Sequence, residues 1–391
     1  MDELTEKSIG FNFNETNLID NTILFFYSLS LISGTIQLSM FTYYISGSLL
    51  VFTRLAMCGC AFILSLIFKR FNLKSIVGIS FSIVGIIVFL KTRNLDYLLF
   101  AMTLTGLKDI PVKRVVKLTF IITLVSLLIL VLLSITGIIP NLGYPRNGRI
   151  RNSFGTTYPL VLSAYLFYLA VSVSILWPKK TFVTLSIMTL LMILCNTYTG
   201  SRNDTFSIAL LILIIVLKKY LKLAKILLKT LIPIFVVVGI VFSIFLTKLI
   251  PFGTNLFVII NKLLSDRLIL QDTLVNNYGI KLFGQVIVQN GNGGYEGQNS
   301  LMQYFYIDNS YAASLYVGGL LSFCFIVGIC AYRCYSLIKK DFVIVGLILF
   351  IVIINGMVES SFINTSLNTI IPILLSDPKL FLSNEKLNLV E

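Results

Sequence analysis

Residues 112–155 read VKRVVKLTFIITLVSLLILVLLSITGIIPNLGYPRNGRIRNSFG, and the order of charge and apolar side chain in this stretch decides the fold. Lys113, Arg114 and Lys117 lead into an apolar run over 117–139. Such a run is long enough to cross the ~30 Å hydrocarbon core of a bilayer as a helix. Beyond it, Arg146, Arg149 and Arg151 fall in one short loop. Membrane insertion favours Lys and Arg in cytoplasmic loops, so one flank of the span obeys that bias and the other breaks it. A guanidinium cluster kept on the outer side is expected to serve an anionic partner there; contact with lipid headgroups is the plainer alternative.

The rest of the chain repeats the pattern. Of its 391 residues, 57% are hydrophobic, more than a soluble fold can cover. Reading apolar runs of ~17 to 25 residues as helices predicts spans near 22–41, 48–68, 74–91, 94–107, 117–139, 156–176, 180–198, 204–217, 228–248, 310–332, 341–356 and 360–376. The shortest runs define the count least well. The expected fold class is therefore all-α: a single polytopic integral membrane domain over 1–391 with about twelve spans. With both termini cytoplasmic, 20 of the 31 Lys and Arg residues fall inside, 10 outside, and Arg54 within a span. The net charge of +14 is thus largely topological and does not indicate nucleic acid.

Two outer elements stand out: the short arginine-rich loop, 140–156, and a large loop, 249–309. The latter carries amphipathic helical spacing from Asn255 to Gly284, then a glycine-rich turn over 291–297. A loop of that length with helical patterning is expected to be a lid or binding element. On the inner side, the lysine-rich stretch 218–229 suits an ordinary positive loop or an interfacial helix on anionic lipid. All six cysteines fall in or at the ends of spans, so neither disulfide nor metal site is expected. The polar, acidic first residues lead to no cleavable leader.

The sequence contains no histidine, which removes histidine acid–base chemistry, histidine-ligated metals and serine–histidine triads. It has no phosphate-binding Gly-Lys-Ser/Thr loop and no Asp-x-Asp pair for a nucleotide-sugar metal. Arginine, a few carboxylates, and many Asn, Ser and Tyr residues remain on the outer side. These groups suit a lipid pyrophosphate and a sugar: guanidinium forks match phosphate oxygens, and the others hydrogen-bond hydroxyls or stack on rings.

Several constellations carry that reading. In Thr199-Gly-Ser-Arg202, Arg202 leaves a tight turn at a helix N-terminus, or else snorkels while Asn203 or Asp204 caps the helix. Arg267 follows Asp266 on the amphipathic part of the large loop, where a charge is ordinarily a solvated face. Asp308 and Asn309 open a span, with capping as their plain role. Glu359, at the outer end of the last hairpin, is a candidate general base or a headgroup contact. Arg54, about two turns into its span, is expected to snorkel or to pair with a carboxylate.

Taken together, Arg151-Asn-Ser-Phe-Gly155, Thr199-Gly-Ser-Arg202, Leu264-Ser-Asp-Arg-Leu268 with Tyr278-Gly-Ile-Lys-Leu-Phe-Gly284, and Asp308-Asn-Ser-Tyr311 resemble the Wzy-type bacterial repeat-unit polymerases of capsule, exopolysaccharide and O-antigen assembly. Their order across residues 150 to 370 carries the resemblance more than any single motif. It implies a metal-independent, cofactor-free glycosyltransferase in the cytoplasmic membrane with its active site facing outward. Such an enzyme transfers an undecaprenyl-pyrophosphate-linked glycan onto a lipid-linked repeat unit, with a flippase and a chain-length regulator as protein partners. It further implies that Arg146, Arg149, Arg151, Arg202 and Arg267 hold pyrophosphate, that Ser201, Asn309 and Tyr311 contact glycan, and that Glu359 or Asp308 serves as base. The related O-antigen ligases are expected to carry a histidine in the large loop, which this chain lacks. A flippase of lipid-linked oligosaccharide, or a glycan ligase of the same superfamily, is the alternative. A transporter would be expected to show internal repeats and a charged cavity near mid-membrane, and no repeat is visible.

Overall fold

A computed structural model of the chain describes residues 13–146, 148–291, 293–294 and 304–376. Both expected termini and most of the glycine-rich turn at 291–297 lie outside the described residues. The regular elements of the described chain are helices and one antiparallel hairpin, β1 (Gly143–Arg146) and β2 (Arg149–Asn152). The helices are α1 (Phe13–Gln37), α2 (Gly47–Phe68), α3 (Leu73–Thr92), α4 (Asp96–Gly106), α5 (Val112–Ile135), α6 (Pro159–Leu176), α7 (Thr181–Leu194), α8 (Arg202–Val216), α9 (Lys218–Leu223), α10 (Lys225–Leu249), α11 (Asn255–Leu263) and α12 (Arg267–Asn277). They are followed by α13 (Ser310–Tyr316), α14 (Gly319–Lys339), α15 (Val343–Gly356) and α16 (Ile371–Leu375).

Eight of the described helices are long and apolar enough to cross a membrane: α1 from Asn17, α2, α3, α5, α6, α7 with the π-turn that extends it to Thr199, α10 and α14. This is an all-α membrane protein. The expected segments at 94–107, 204–217 and 341–356 are also helical but shorter, as α4, α8 and α15. At 11 residues, α4 spans about 16 Å and cannot cross a bilayer alone.

α6 is the axis of the bundle. It is apolar on every side, and Tyr165, Phe167 and Tyr168 are wholly enclosed, as expected of a helix surrounded by others rather than by lipid. Its serines satisfy themselves against the helix backbone: Ser172 donates to Tyr168 O at 2.8 Å and Ser174 to Val171 O at 2.6 Å. Elsewhere small residues allow close approach. A Cβ on Gly85 of α3 would lie 2.8 Å from the Leu98 Cα of α4, so that crossing requires glycine.

Two expected spans depart from simple helices. The span at 310–332 breaks between α13 and α14, where Gly319 has φ +86°. The Tyr278-to-Gly284 segment docks against this break, with the N–H groups of Leu320 and Leu321 donating to Lys281 O (2.9 Å) and Leu282 O (3.2 Å). A Cβ on Gly284 would sit 1.9 Å from Val317 O, so the glycine of that motif is needed for backbone-to-backbone contact.

The last expected span, 360–376, is not a continuous helix: the chain is irregular from 357 to 370, and only Ile371–Leu375 is helical. Asn, Ser and Thr here bond the backbone in place of a helix ladder, and Pro372 cannot continue one. Ser366 N donates to Asn364 Oδ1 (2.9 Å), Ile370 N to Asn368 Oδ1 (3.1 Å), and Asn368 Nδ2 to Phe362 O (2.6 Å). The segment is clasped from outside by Arg54 Nη2 on Thr365 Oγ1 (3.0 Å) and by Ser172 Oγ on Thr369 Oγ1 (3.1 Å). Arg54 therefore neither snorkels nor pairs with a carboxylate; it also donates to Gln37 Oε1 at 2.5 Å. Most side chains of this irregular segment are buried by surrounding protein.

The lysine-rich loops gather at one end of the bundle, where Lys69 and Arg114 meet Asp20, and Lys108 donates to Arg70 O at 3.1 Å. The 218–229 stretch there divides between α9 and the first turns of α10. The hairpin, α11 and α12 lie at the opposite, arginine end. α11 exposes Leu256, Val258, Ile259 and Leu263, as an interfacial helix would.

Candidate functional site

The hairpin sets the arginines on different sides. Tyr144 of β1 pairs with Arg151 of β2, and the Tyr144 ring meets Tyr158 edge-on at 4.7 Å. Arg151 is only 8% exposed; its Nη2 donates to Tyr158 Oη at 3.2 Å, with the guanidinium 5.7 Å from that ring's centre. Its stem packs on the next arginine-bearing turn, since a Cβ on Gly200 would lie 3.1 Å from Arg151 Cδ. Among the described residues, its Nε and Nη1 have no hydrogen-bond partner. A buried guanidinium with unspent donors is costly unless an anion completes it.

The turn carrying Arg202 is anchored by a buried network. The π-turn Cys195–Thr199 ends at Gly200 (φ +60°), and Ser201 caps α8 by accepting from Asp204 N at 3.4 Å. Ser201 Oγ donates in turn to Asp204 Oδ2 (3.0 Å), which also receives Ser163 of α6, while Asn355 of α15 donates to Asp204 Oδ1 (2.8 Å). Asp204 thus ties three helices together and fixes where Arg202, the first residue of α8, emerges.

Arg267 is the centre of the site. Ser265 and Asp266 both adopt left-handed backbone, φ +62° and +68°, turning α11 into α12 so that Arg267 opens the second helix. Buried Asn261 holds this turn, donating to Asp266 Oδ1 (2.9 Å) and accepting from Ile269 N (3.2 Å). Gln271 of α12 grips α10 at its kink near Phe245, donating to Ile244 O at 2.6 Å. So placed, Arg267 bridges two carboxylates distant in sequence: its Nε lies 3.1 Å from Asp308 Oδ2 and its Nη2 2.9 Å from Glu359 Oε1.

Burial pushes the Glu359 carboxyl up to about 8; Arg267 opposes this, and Asp204 and Asp308 reinforce it. Burial also raises Asp308, again against the pull of Arg267. Burial disfavours the Arg267 cation, yet Glu359 and Asp308 outweigh it and hold the guanidinium charged. Half-buried Arg146 is lowered by burial and by repulsion from Arg151, Arg267 and Arg202. Arg146 therefore feels three other guanidinium groups, from its own hairpin, the Arg202 turn and the start of α12.

Three spaces meet at these groups. One of about 150 Å³ is lined by Arg146, Arg202 and Arg267, with Glu359 on its wall. A groove of about 300 Å³ runs between α10 and α12; apolar side chains such as Phe242, Leu246, Leu268 and Met357 line it, with Arg267 and Asp308 also on its wall. The third, about 70 Å³, lies between Asp308 and Glu359 and the rings of Tyr158, Tyr304 and Tyr306.

The structure thus brings Arg146, Arg151, Arg202, Arg267, Asp308 and Glu359 into one neighbourhood. Arg149 is exposed on the hairpin, away from the cavity walls. The three residues expected to meet glycan are also bonded within the protein. Ser201 caps α8 yet lies on the wall of the arginine-lined cavity, and Asn309 caps α13, accepting from Tyr311 N (2.9 Å) and Ala312 N (3.0 Å), yet lies on the wall of the apolar groove. Tyr311 is fully buried, donates to Ile353 O at 3.2 Å and lines none of these three spaces. Tyr158, Tyr304, Tyr306 and Asn355 did not stand out in the sequence, because an isolated Tyr or Asn carries no spacing signal. Asp204 was visible there only as a possible cap.

The chain matches no family model, no curated protein and no solved structure.

Proposed function

We propose that the chain is a glycan polymerase. It transfers an undecaprenyl-pyrophosphate-linked glycan onto a lipid-linked oligosaccharide repeat unit at the outer face of the cytoplasmic membrane. On this reading the arginine end faces outward, both termini are cytoplasmic, and the largely irregular 360–376 segment serves as the twelfth crossing, with Glu359 at its outer end. The positive-inside bias of the lysine loops supports that orientation. One observation carries the reading: Arg267 lines both a cavity walled by three arginines and an apolar groove, while holding two buried carboxylates. That is the chemistry a prenyl pyrophosphate needs, with a dry channel for its chain beside cationic donors for its head.

In the reaction, an acceptor hydroxyl oxygen forms a bond to C1 of the donor sugar, and the bond from C1 to the pyrophosphate oxygen breaks. Negative charge develops on the departing undecaprenyl pyrophosphate, where Arg146, Arg151, Arg202 and Arg267 stabilise it. The hydroxyl proton passes to a carboxylate. Glu359 suits this best, since burial places its proton affinity near neutrality. Asp308, on the other arm of Arg267, is the second candidate.

The irregular backbone at membrane depth favours a second reading, a transporter of the same lipid, because broken helices line the substrate sites of many transporters. One assay separates them. Purified protein in nanodiscs is given undecaprenyl-pyrophosphate repeat units without nucleotide. A ladder spaced by one repeat unit supports the polymerase; movement of the lipid across liposomes without a ladder rejects it for the transporter.

A further inference from the structure

A fourth cavity, of about 160 Å³, has no part in the chemistry above. Its walls include Asn94, Asp96, Gln289, Tyr306, Ser360 and Asn364. Tyr306 and Ser360 also line the tyrosine-walled space beside Glu359, and they bond each other at 3.2 Å, so the two cavities share a partition. No arginine is among the described residues lining either of these two spaces; Arg267 lines the neighbouring cavity instead.

The polar groups here are held in place and only partly used. Asn94 Oδ1 accepts from Asp96 N (2.8 Å), Gln289 Oε1 from Ile307 N (2.9 Å), and Asn364 Oδ1 from Ser366 N (2.9 Å). Each bond fixes an amide by its oxygen; the NH₂ groups of Gln289 and Asn364 remain as donors, while the Asn94 side chain also bonds the Asp96 carboxylate. Among the described residues Asp96 makes no ion pair, so its carboxylate keeps acceptor capacity beside the cavity. The cavity thus offers one carboxylate, two amide donors, the Tyr306 and Ser360 hydroxyls and two tyrosine rings, with apolar side chains such as Val161 and Leu367 between them.

That set discriminates among ligands. An anion finds no lysine or arginine among the described residues on these walls. A metal ion finds a single carboxylate, and the described residues contain no cluster of three acidic, Cys or His side chains. An alkyl chain would strip water from Asp96 and the amides without replacing their hydrogen bonds. Hydroxyl groups on a sugar ring both donate and accept, and so pair with both kinds of wall. At about 160 Å³, the space is on the scale of one ring rather than a chain.

We infer that this cavity is a subsite for a neutral sugar ring, recognised by Asp96 with Gln289 and Asn364, and that it seats the terminal sugar of the acceptor. The acceptor assignment rests on the polymerase reading, because it follows from the cavity lying past the carboxylates from the arginines. Sugar binding itself does not rest on it.

The test uses the full chain in nanodiscs, with oligosaccharide released by mild acid from the source cell's lipid-linked repeat units as the probe. Asp96→Asn keeps the shape and removes the charge; Gln289→Glu keeps the bond to Ile307 N and removes the donor. Titration calorimetry is expected to show binding to the unsubstituted protein, weakened about tenfold in each variant, the loss of roughly one hydrogen bond to a charged or buried group. In the polymerisation assay the acceptor KM should rise by a similar factor while the donor KM holds. Absence of oligosaccharide binding, or wild-type affinity in both variants, overturns the subsite. A ladder with unchanged acceptor KM in both variants removes the subsite and leaves the polymerase standing. Binding sensitive to Asp96 in a protein that makes no ladder keeps the subsite and removes the polymerase.

Discussion

Replacing Arg267 by alanine removes one side chain and disturbs two others, which makes its effect calculable. Asp308 at 3.1 Å and Glu359 at 2.9 Å lose their common partner. If both stayed ionised, an unpaired buried charge would cost about 3–5 kcal/mol. Glu359, however, already has its proton affinity raised to about 8 by burial, with Arg267 pulling the other way. Without the guanidinium it rises further, and Asp308 loses the pull that opposes its own rise, so both carboxyls shift toward the neutral form. The structural loss then reduces to about two hydrogen bonds, on the order of 1–3 kcal/mol.

The catalytic loss is larger. Removing one preorganised donor from a developing oxyanion lowers turnover by about 10²–10³-fold. Arg267→Lys keeps the charge but cannot reach both carboxylates as a fork, and it should fall nearer the alanine variant than wild type. The assay is ladder formation in nanodiscs at matched protein, with thermal unfolding at pH 6 and pH 8.5. A carboxyl with a raised folded-state pKa stabilises the fold at low pH and loses that contribution as pH rises toward the folded value. Stability of Arg267→Ala should therefore fall between pH 6 and 8.5 more steeply than that of the wild type. Turnover within about threefold of wild type would refute the assigned role, since the donor estimate sets the minimum near a hundredfold. A pH-independent stability difference would refute the electrostatic account.

Glu359 gives a pH signature: wild-type polymerisation should climb toward about pH 8 as the carboxyl loses its proton, and Glu359→Gln should abolish that climb along with most of the activity. Asp204→Ala leaves Ser163 and Asn355 without their acceptor, so unfolding in detergent should come at least several degrees earlier, with an expected loss of about 1–3 kcal/mol. Wild-type melting would show that the Arg202 turn is held by other contacts. Gly284→Ala places a Cβ 1.9 Å from Val317 O at a left-handed position, and size-exclusion chromatography should show little monodisperse protein. Chelators should leave the ladder unchanged, because arginines supply the positive charge in the proposed reaction; strict dependence on a divalent cation would contradict it.

The sequence by itself determined that the chain is a helical membrane protein and which end of the bundle carries arginine. Span length and charge asymmetry are local quantities, so α2, α3, α5 and α6 could be read within a few residues of their ends. It also marked Arg202, Arg267, Asp308 and Glu359 singly, as charges in places where charge is costly. The tertiary structure decided that Arg267 joins Asp308 to Glu359, across a chain separation that no local pattern encodes. It buried Tyr311, whose hydroxyl donates to Ile353 O, and gave Ser201 and Asn309 capping bonds while leaving both on cavity walls. It also left 357–370 unwound where hydropathy alone reads a span, since average apolarity does not reveal whether Asn, Ser and Thr side chains will bond the backbone themselves. Composition sets which segments leave water, whereas the packing around α6 sets which polar groups meet.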